Sequence, residues 1–180
     1  MTQLPVEVLS PDEVRRLIAN ADDNDSFGLR DAAILSALYY AAATAGEIAG
    51  LDLSDLDRRR ATLRLRSDDG SLRRVPLEEP LAAILDRYLE GSRKLLLAHG
   101  GLTEGAGPPA LFLTNKGHRV HVQDIRQILG THSKAMGIKS TVNYNTLRLS
   151  RAWHLREQGE APEKIQRLLG AASRSGRSVV

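Results

Sequence analysis

The chain has 180 residues, of which 42% are apolar and 26% charged, a balance typical of a soluble globular domain with its own core. It contains no cysteine, which excludes disulfides and thiolate metal sites. Its five histidines lack metal-ligand spacing, so we expect no metal and no cofactor. No apolar run approaches the ~18 residues of a membrane helix, and the N-terminus lacks a secretory pattern. We therefore expect a cytoplasmic protein.

Charge is distributed unevenly along the chain. Residues 1–90 carry 11 Lys and Arg against 17 Asp and Glu, a net charge of −6, whereas residues 91–180 carry 14 against 5, a net charge of +9. An acidic half followed by a basic half indicates a surface that faces a polyanion. The alternative is that the basic helices are simply solvated.

Three helices are predicted in the N-terminal part of the chain. The first runs over about 10–21 and opens with a capping box. The second, over 29–43, is alanine-rich and apolar on most faces, so we expect it at the centre of the core. Thr44 and Glu47 form a second capping box, which opens a short third helix.

A hairpin and four more helices are predicted after these. Apolar and basic residues alternate over 61–66, and SLRRVPL (71–77) follows the Gly-containing turn SDDG (67–70). This pattern predicts a β-hairpin of two antiparallel strands. Amphipathic spacing predicts a long helix over 80–97. The remaining predicted elements are helices at about 122–136, 143–158 and 162–170, with a frayed tail at 174–180. This order predicts one mainly α domain (α+β) over residues 1–180, with a small sheet.

Four phrases in this sequence, in this order, resemble the catalytic domain of the tyrosine recombinases, or phage integrases. They are GEIAGLDLSDLD (46–57), LRLRSDDGSLRRVPL (63–77), PALFLTNKGHRVHVQDIRQIL (109–129) and NTLRLSRAWHLREQGEAPEKIQRLLG (145–170). The resemblance covers about residues 9–173 and implies that family's helical fold with its small β-hairpin. It also implies that the separate N-terminal domain with which these enzymes clamp DNA is absent.

The resemblance implies a chemistry, which is transesterification at a DNA phosphate. A tyrosine attacks the phosphorus, two arginines hold the non-bridging oxygens, and a hairpin lysine protonates the leaving oxygen. Histidines, or a histidine and a tryptophan, complete the pocket. The second arginine is present as Arg148. The other positions carry Thr44 for the first arginine, Asp68 for the lysine, Asn145 and Leu149 for histidines, Ala171 for the histidine or tryptophan, and Val180 for the tyrosine.

Because one functional residue in this set is retained, the resemblance implies a degenerate copy that is not an enzyme. We expect it to bind double-stranded DNA without cleaving it, as an accessory or regulator of recombination by a mobile element. No small-molecule substrate and no membrane partner are predicted. The candidate nucleic-acid contacts are Arg148, Arg151, Lys116, Arg119 and Lys139.

Two other readings stay open at this point. A protein-interaction module would pair with itself or with an active recombinase, and a degenerate remnant would retain no activity. For Arg148 alone, the alternative is an ordinary helix arginine that is solvated or paired with a carboxylate.

Overall fold

The structure is a computed structural model that describes residues 8–22, 27–103, 105–138 and 142–170. Mainly helical elements surround a small three-stranded sheet, so the predicted mainly α (α+β) fold is confirmed. The tail expected at 174–180 lies outside the described residues. Within the described ranges, no helix has the length and apolar character needed to cross a membrane.

The first three helices form where capping boxes and apolar spacing predict them. They are α1 (Pro11–Asp22), α2 (Gly28–Tyr40) and α3 (Ala45–Gly50). Helix α2 is buried along most of its length and packs against α1 and against several later helices. It ends three residues earlier than predicted, because Ala42 has a φ of +46°, a left-handed conformation that a right-handed helix cannot continue through.

The predicted hairpin is present, with one additional strand. Strand β2 (Thr62–Arg66) pairs antiparallel with β3 (Leu72–Pro76), and β1 (Leu56–Asp57) pairs with the other edge of β2. Leu63 lies opposite Val75, and both side chains are buried. Strand β1 was missed because two residues are too short to show alternation; an acidic turn was expected there.

The long helix predicted over 80–97 is divided in three. Helix α4 (Glu79–Arg87) is followed by one π-helical turn (Tyr88–Ser92) and by α5 (Arg93–His99). Tyr88 is fully buried in this turn, donates a hydrogen bond to the Leu111 carbonyl (3.1 Å) and accepts one from the Leu113 amide (3.2 Å). Tyr88 therefore links the π turn to residues 111–113.

The last three helices agree with their predicted positions. They are α6 (Val122–Ala135), α7 (Tyr144–Glu157) and α8 (Pro162–Leu169). Helix α7 packs against α2, and α8 packs against α7. This arrangement brings α7, the end of α8, α3 and strand β3 together around one cluster of charged side chains.

Candidate nucleic-acid interface

Arg148 lies in the second turn of α7, and local sequence fixes where that helix begins. The Asn143 side chain is the N-cap and accepts hydrogen bonds from the amides of Asn145 (2.9 Å) and Thr146 (3.1 Å). These bonds satisfy backbone amides that have no hydrogen-bond acceptor within the helix. Helix α7 is thereby held in register, and the Arg148 guanidinium is directed towards the end of α8.

A buried carboxylate lies at the centre of the cluster. Glu47 of α3 is 2% exposed and pairs with Arg73 of β3 through both of its oxygens. It also accepts hydrogen bonds from the Thr44 amide (2.8 Å) and the Ser67 hydroxyl (2.9 Å). Burial raises the pKa of Glu47, but the hydrogen bonds from Arg73, Thr44 and Ser67 and the Arg73 charge outweigh burial, and its pKa lies below the usual value.

Two arginines hold neighbouring carbonyls at the C-terminal end of α8. Arg73 Nε donates to the Leu168 carbonyl (3.0 Å), and Arg148 Nη2 donates to the Leu169 carbonyl. Gly170, with a φ of +68°, ends the helix against Arg73, where a Cβ would lie 2.9 Å from the arginine Cδ. Cations are favourable at this end of a helix because its unpaired carbonyls carry partial negative charge.

Arg148 differs from Arg73 in its partners. Among the described residues, Arg148 forms no ion pair, and the Leu169 carbonyl is its hydrogen-bond partner. Burial, and then repulsion from Arg73, lower the pKa of Arg148, while Glu47 raises it. An arginine still carries its charge at neutral pH under such shifts. The cluster of Glu47, Arg73 and Arg148 has a net charge of +1.

The structure describes four more of the positions at which the resemblance implies functional residues. Thr44 is the N-cap of α3, and its hydroxyl accepts from the Glu47 amide at 3.2 Å. Asp68, exposed in the hairpin turn, approaches α3 closely: a Cβ on Gly46 would lie 3.0 Å from Asp68 Oδ1. Asn145 is exposed, and Leu149 is 44% exposed.

Arg151, a candidate DNA contact from the sequence, lies in the interior. It is 7% exposed, pairs with Glu78 and stacks over the rings of Tyr39 and Tyr40, 5.4 and 5.6 Å from their centroids. The i, i+3 spacing from Arg148 suggested a shared basic face, but tertiary packing turns the Arg151 guanidinium towards α2. We leave Arg151 out of the interface.

Lys116 and Arg119 line a polar cleft of about 460 Å³ between α2, the 114–121 loop and α6. Lys116 is exposed there. Arg119 is partly buried: it donates to the carbonyls of Ala49 and Leu51 (both 3.0 Å) and pairs with Asp52. Lys139, the remaining candidate contact, lies outside the described residues, as do Ala171 and Val180. Lys116 is therefore the freer of the two described cations.

The pairing of Arg73 with Glu47 was not predicted from the sequence. A signal was available in the alternation of β3: Arg73 is two residues from the buried Val75, so the two side chains share a face of the strand. A basic residue on an inward face needs a carboxylate partner. Glu47 belongs to a capping box and was assigned no further role, so the pair was missed.

Comparisons with known proteins identify the family to which this mainly α domain with its three-stranded sheet belongs. Residues 7–176 match the model of the phage integrase family, so the chain belongs to that family, the tyrosine recombinases. The chain is 37% identical over 169 residues to tyrosine recombinase XerD of Mycobacterium tuberculosis, covering 92% of this chain and 53% of that protein. It is 36% identical over 164 residues to XerC of Natranaerobius thermophilus, covering 91% and 54%.

Solved structures agree with this assignment. The crystal structure of XerA recombinase has a TM-score of 0.79 and 30% identity, covering 96% of this chain and 58% of that one. XerH recombinase bound to its difH substrate has a TM-score of 0.75 at 18% identity, covering 96% and 49%, and shares the fold. The chain thus spans about half the length of the relatives it matches.

The prediction that the protein is not an enzyme is wrong. The relatives that the chain matches are named tyrosine recombinases, which are enzymes, and the family model matches most of the chain. The prediction compared single positions with the family's functional residues. Two of these positions, Ala171 and Val180, lie outside the described residues at the end of a chain that covers about half of its relatives, so they cannot carry that conclusion.

Proposed function

We propose that this chain binds duplex DNA in a DNA-recombination reaction, with Arg148 as its central phosphate contact. The observation that carries the proposal is the state of Arg148: it is charged and partly buried, and it forms no ion pair with any described residue. A guanidinium in this state is suited to the oxygens of a phosphate, because its planar donors match them two at a time.

The family relatives support the proposal that the anion contacted by Arg148 is a phosphate of DNA. Relatives similar in sequence are named recombinases, and the Tn1549 transposon integrase, which shares the fold, is described in complex with DNA. The exposed Lys116 is a second candidate contact, and Arg119 would contribute through the same cleft. A surface with few phosphate contacts predicts a Kd of about micromolar or weaker that weakens further with added salt. A link to a mobile element and a cytoplasmic location stay predictions from the sequence.

Fluorescence anisotropy with a labelled duplex at low salt tests this proposal. Arg148→Gln should weaken binding by about tenfold, the loss of one charge-assisted hydrogen-bond pair. Arg156→Gln is the matched control: it makes the same charge change on α7, where Arg156 is exposed and stacks 4.1 Å from the centroid of the Trp153 ring. Equal affinities for the two variants, or no binding by the unmodified chain, would refute the proposal.

A second candidate function is pairing with another protein, either a second copy or a recombinase. It is favoured by two exposed leucines, Leu72 (54% exposed) and Leu149 (44% exposed), which are sequence neighbours of Arg73 and Arg148. Exposed apolar side chains at a functional surface are typical of contact sites. Light scattering tests self-association: a monomer at all concentrations that is unchanged by Leu149→Ser argues against pairing between copies.

A further inference from the structure

Glu47 is the carboxylate of the cluster, and Arg73 pairs with both of its oxygens. Its two oxygens accept from the Thr44 amide, the Ser67 hydroxyl and the two terminal nitrogens of Arg73. A carboxylate with 2% exposure is stable as an anion only while such partners are present, since water does not solvate it. Glu47 would therefore attract another cation if Arg73 were removed.

Arg148 is the cation in position to replace Arg73. The two guanidiniums hold consecutive carbonyls, at Leu168 and Leu169, and the Glu47 charge already acts on Arg148. If Arg148 paired with Glu47, its N–H donors would be directed inward and would be unavailable to a phosphate.

Building on the DNA-binding function proposed above, we propose that Arg73 is a positioning residue: it occupies Glu47 and thereby leaves Arg148 available to a DNA phosphate. Arg73 itself has little capacity for DNA. Its side chain is 11% exposed, and its donors are directed to Glu47, the Ala42 carbonyl (3.3 Å) and the Leu168 carbonyl. Arg73 therefore affects DNA binding indirectly, because it pairs with Glu47 and Arg148 does not.

Four variants test this role: Arg73→Gln, Glu47→Gln, the double variant and Arg148→Gln, each titrated with a labelled duplex at several salt concentrations. Arg73→Gln should weaken binding by about tenfold, because Arg148 then pairs with Glu47. The magnitude of the salt slope should fall by about one, as for loss of a phosphate contact. Glu47→Gln in the Arg73→Gln background should restore affinity and slope to within about twofold of the original values, because the competing charge is gone.

The control is Arg74→Gln, which removes the neighbouring exposed charge of β3 and should leave the slope nearly unchanged. Thermal melting shows whether each variant is folded. If Arg73→Gln does not fold, Arg73→Lys and Glu47→Gln replace it. Lysine keeps the charge but lacks the two-pronged donor, so Arg73→Lys should reduce the slope partially, whereas Glu47→Gln alone should bind at least as tightly as the unmodified chain.

Two outcomes distinguish a failure of the positioning role of Arg73 from a failure of the DNA contact by Arg148. If Arg148→Gln changes neither affinity nor slope, the proposed DNA contact fails. If Arg148→Gln weakens binding while Arg73→Gln does not, or if the double variant stays as weak as Arg73→Gln, the DNA contact stands and the positioning role of Arg73 is overturned.

Discussion

Arg73 and Glu47 form a two-point ion pair that joins strand β3 to helix α3, with Nη2 3.1 Å from Oε2 and Nη1 paired with Oε1. The carboxylate is buried and the guanidinium nearly so. Arg148 lies beside this pair without a carboxylate of its own among the described residues. The proposed phosphate contact of Arg148 rests on this contrast between one arginine that is fully paired and one that has no ion pair among the described residues.

Asp68 is expected to oppose DNA binding. Its carboxylate is exposed and lies against the first turn of α3, beside Gly46, where it repels an approaching phosphate. Asp68→Asn should raise the affinity for duplex DNA severalfold at low salt, and Asp68→Lys should raise it further. The control is Asp69→Asn, which removes the same charge and keeps an oxygen to accept from the Ser71 amide. An equal gain from both variants would show a general charge effect rather than one specific to position 68.

Tyr88→Phe is expected to destabilise the fold. The hydroxyl bonds to both the Leu111 carbonyl and the Leu113 amide in a fully buried site, so its removal leaves two buried backbone groups unpaired. The free energy of unfolding should fall by about 1–3 kcal/mol, measured by urea denaturation. Tyr144→Phe, at a half-buried tyrosine, should change it by less than about 0.5 kcal/mol. Equal effects would contradict this account of the π turn.

Arg151→Met should affect stability and leave DNA binding intact. The change removes an ion pair in which Arg151 is mostly buried and Glu78 about one-third exposed, so we expect a loss of about 1–2 kcal/mol after solvent screening. Because Arg151 faces α2 and its tyrosines, the salt slope of DNA binding should not change. A reduced slope in a folded Arg151→Met protein would restore Arg151 to the interface.

His154 is expected to make the fold sensitive to mild acid. The ring is 4% exposed and bonds to the Tyr39 hydroxyl at 2.8 Å. Burial, and then repulsion from Arg151, lower the pKa of His154, although the Leu9 backbone opposes the shift. The unfolded chain therefore binds a proton near pH 6.5 while the folded protein does not. Stability is full above this pH and falls as the pH drops from about 6.5 towards the folded pKa.

Urea denaturation at a series of pH values measures this effect. The His154→Gln variant should show a flatter pH dependence of the unfolding free energy as the pH falls below about 6.5. His118→Gln, at an exposed histidine, is the matched control and should keep the original slope. If both variants retain the slope, His154 is not its source.

Sequence patterns predicted the elements better than they predicted the charge pairing. Capping boxes and apolar periodicity located α1, α3 and the hairpin, because these signals act over three or four residues. The Glu47–Arg73 pair spans 26 residues and the Arg148–Leu169 bond 21, and both depend on how separate elements pack. The same limit explains Arg151, whose helical spacing suggested exposure but whose side chain packs against α2.

Comparing single residues of this chain with the functional residues of the family predicted the function less well than sequence patterns predicted the fold. It identified Arg148, which the structure leaves without an ion pair among the described residues, but it also led to the prediction that the protein is not an enzyme, which the family relatives contradict. The residue type at one position does not show which neighbouring side chain provides or neutralises a charge at that place in the fold. At position 44 a threonine caps α3, while the guanidinium next to Glu47 comes from β3.

The salt dependence of duplex binding by Arg148→Gln tests the central claim most directly. Log Kd is measured against log salt concentration for the unmodified chain, Arg148→Gln and Arg156→Gln. The account predicts that Arg148→Gln weakens binding by about tenfold and reduces the magnitude of the slope by about one, while Arg156→Gln changes the slope much less. Identical slopes for the unmodified chain and a folded Arg148→Gln protein would contradict it.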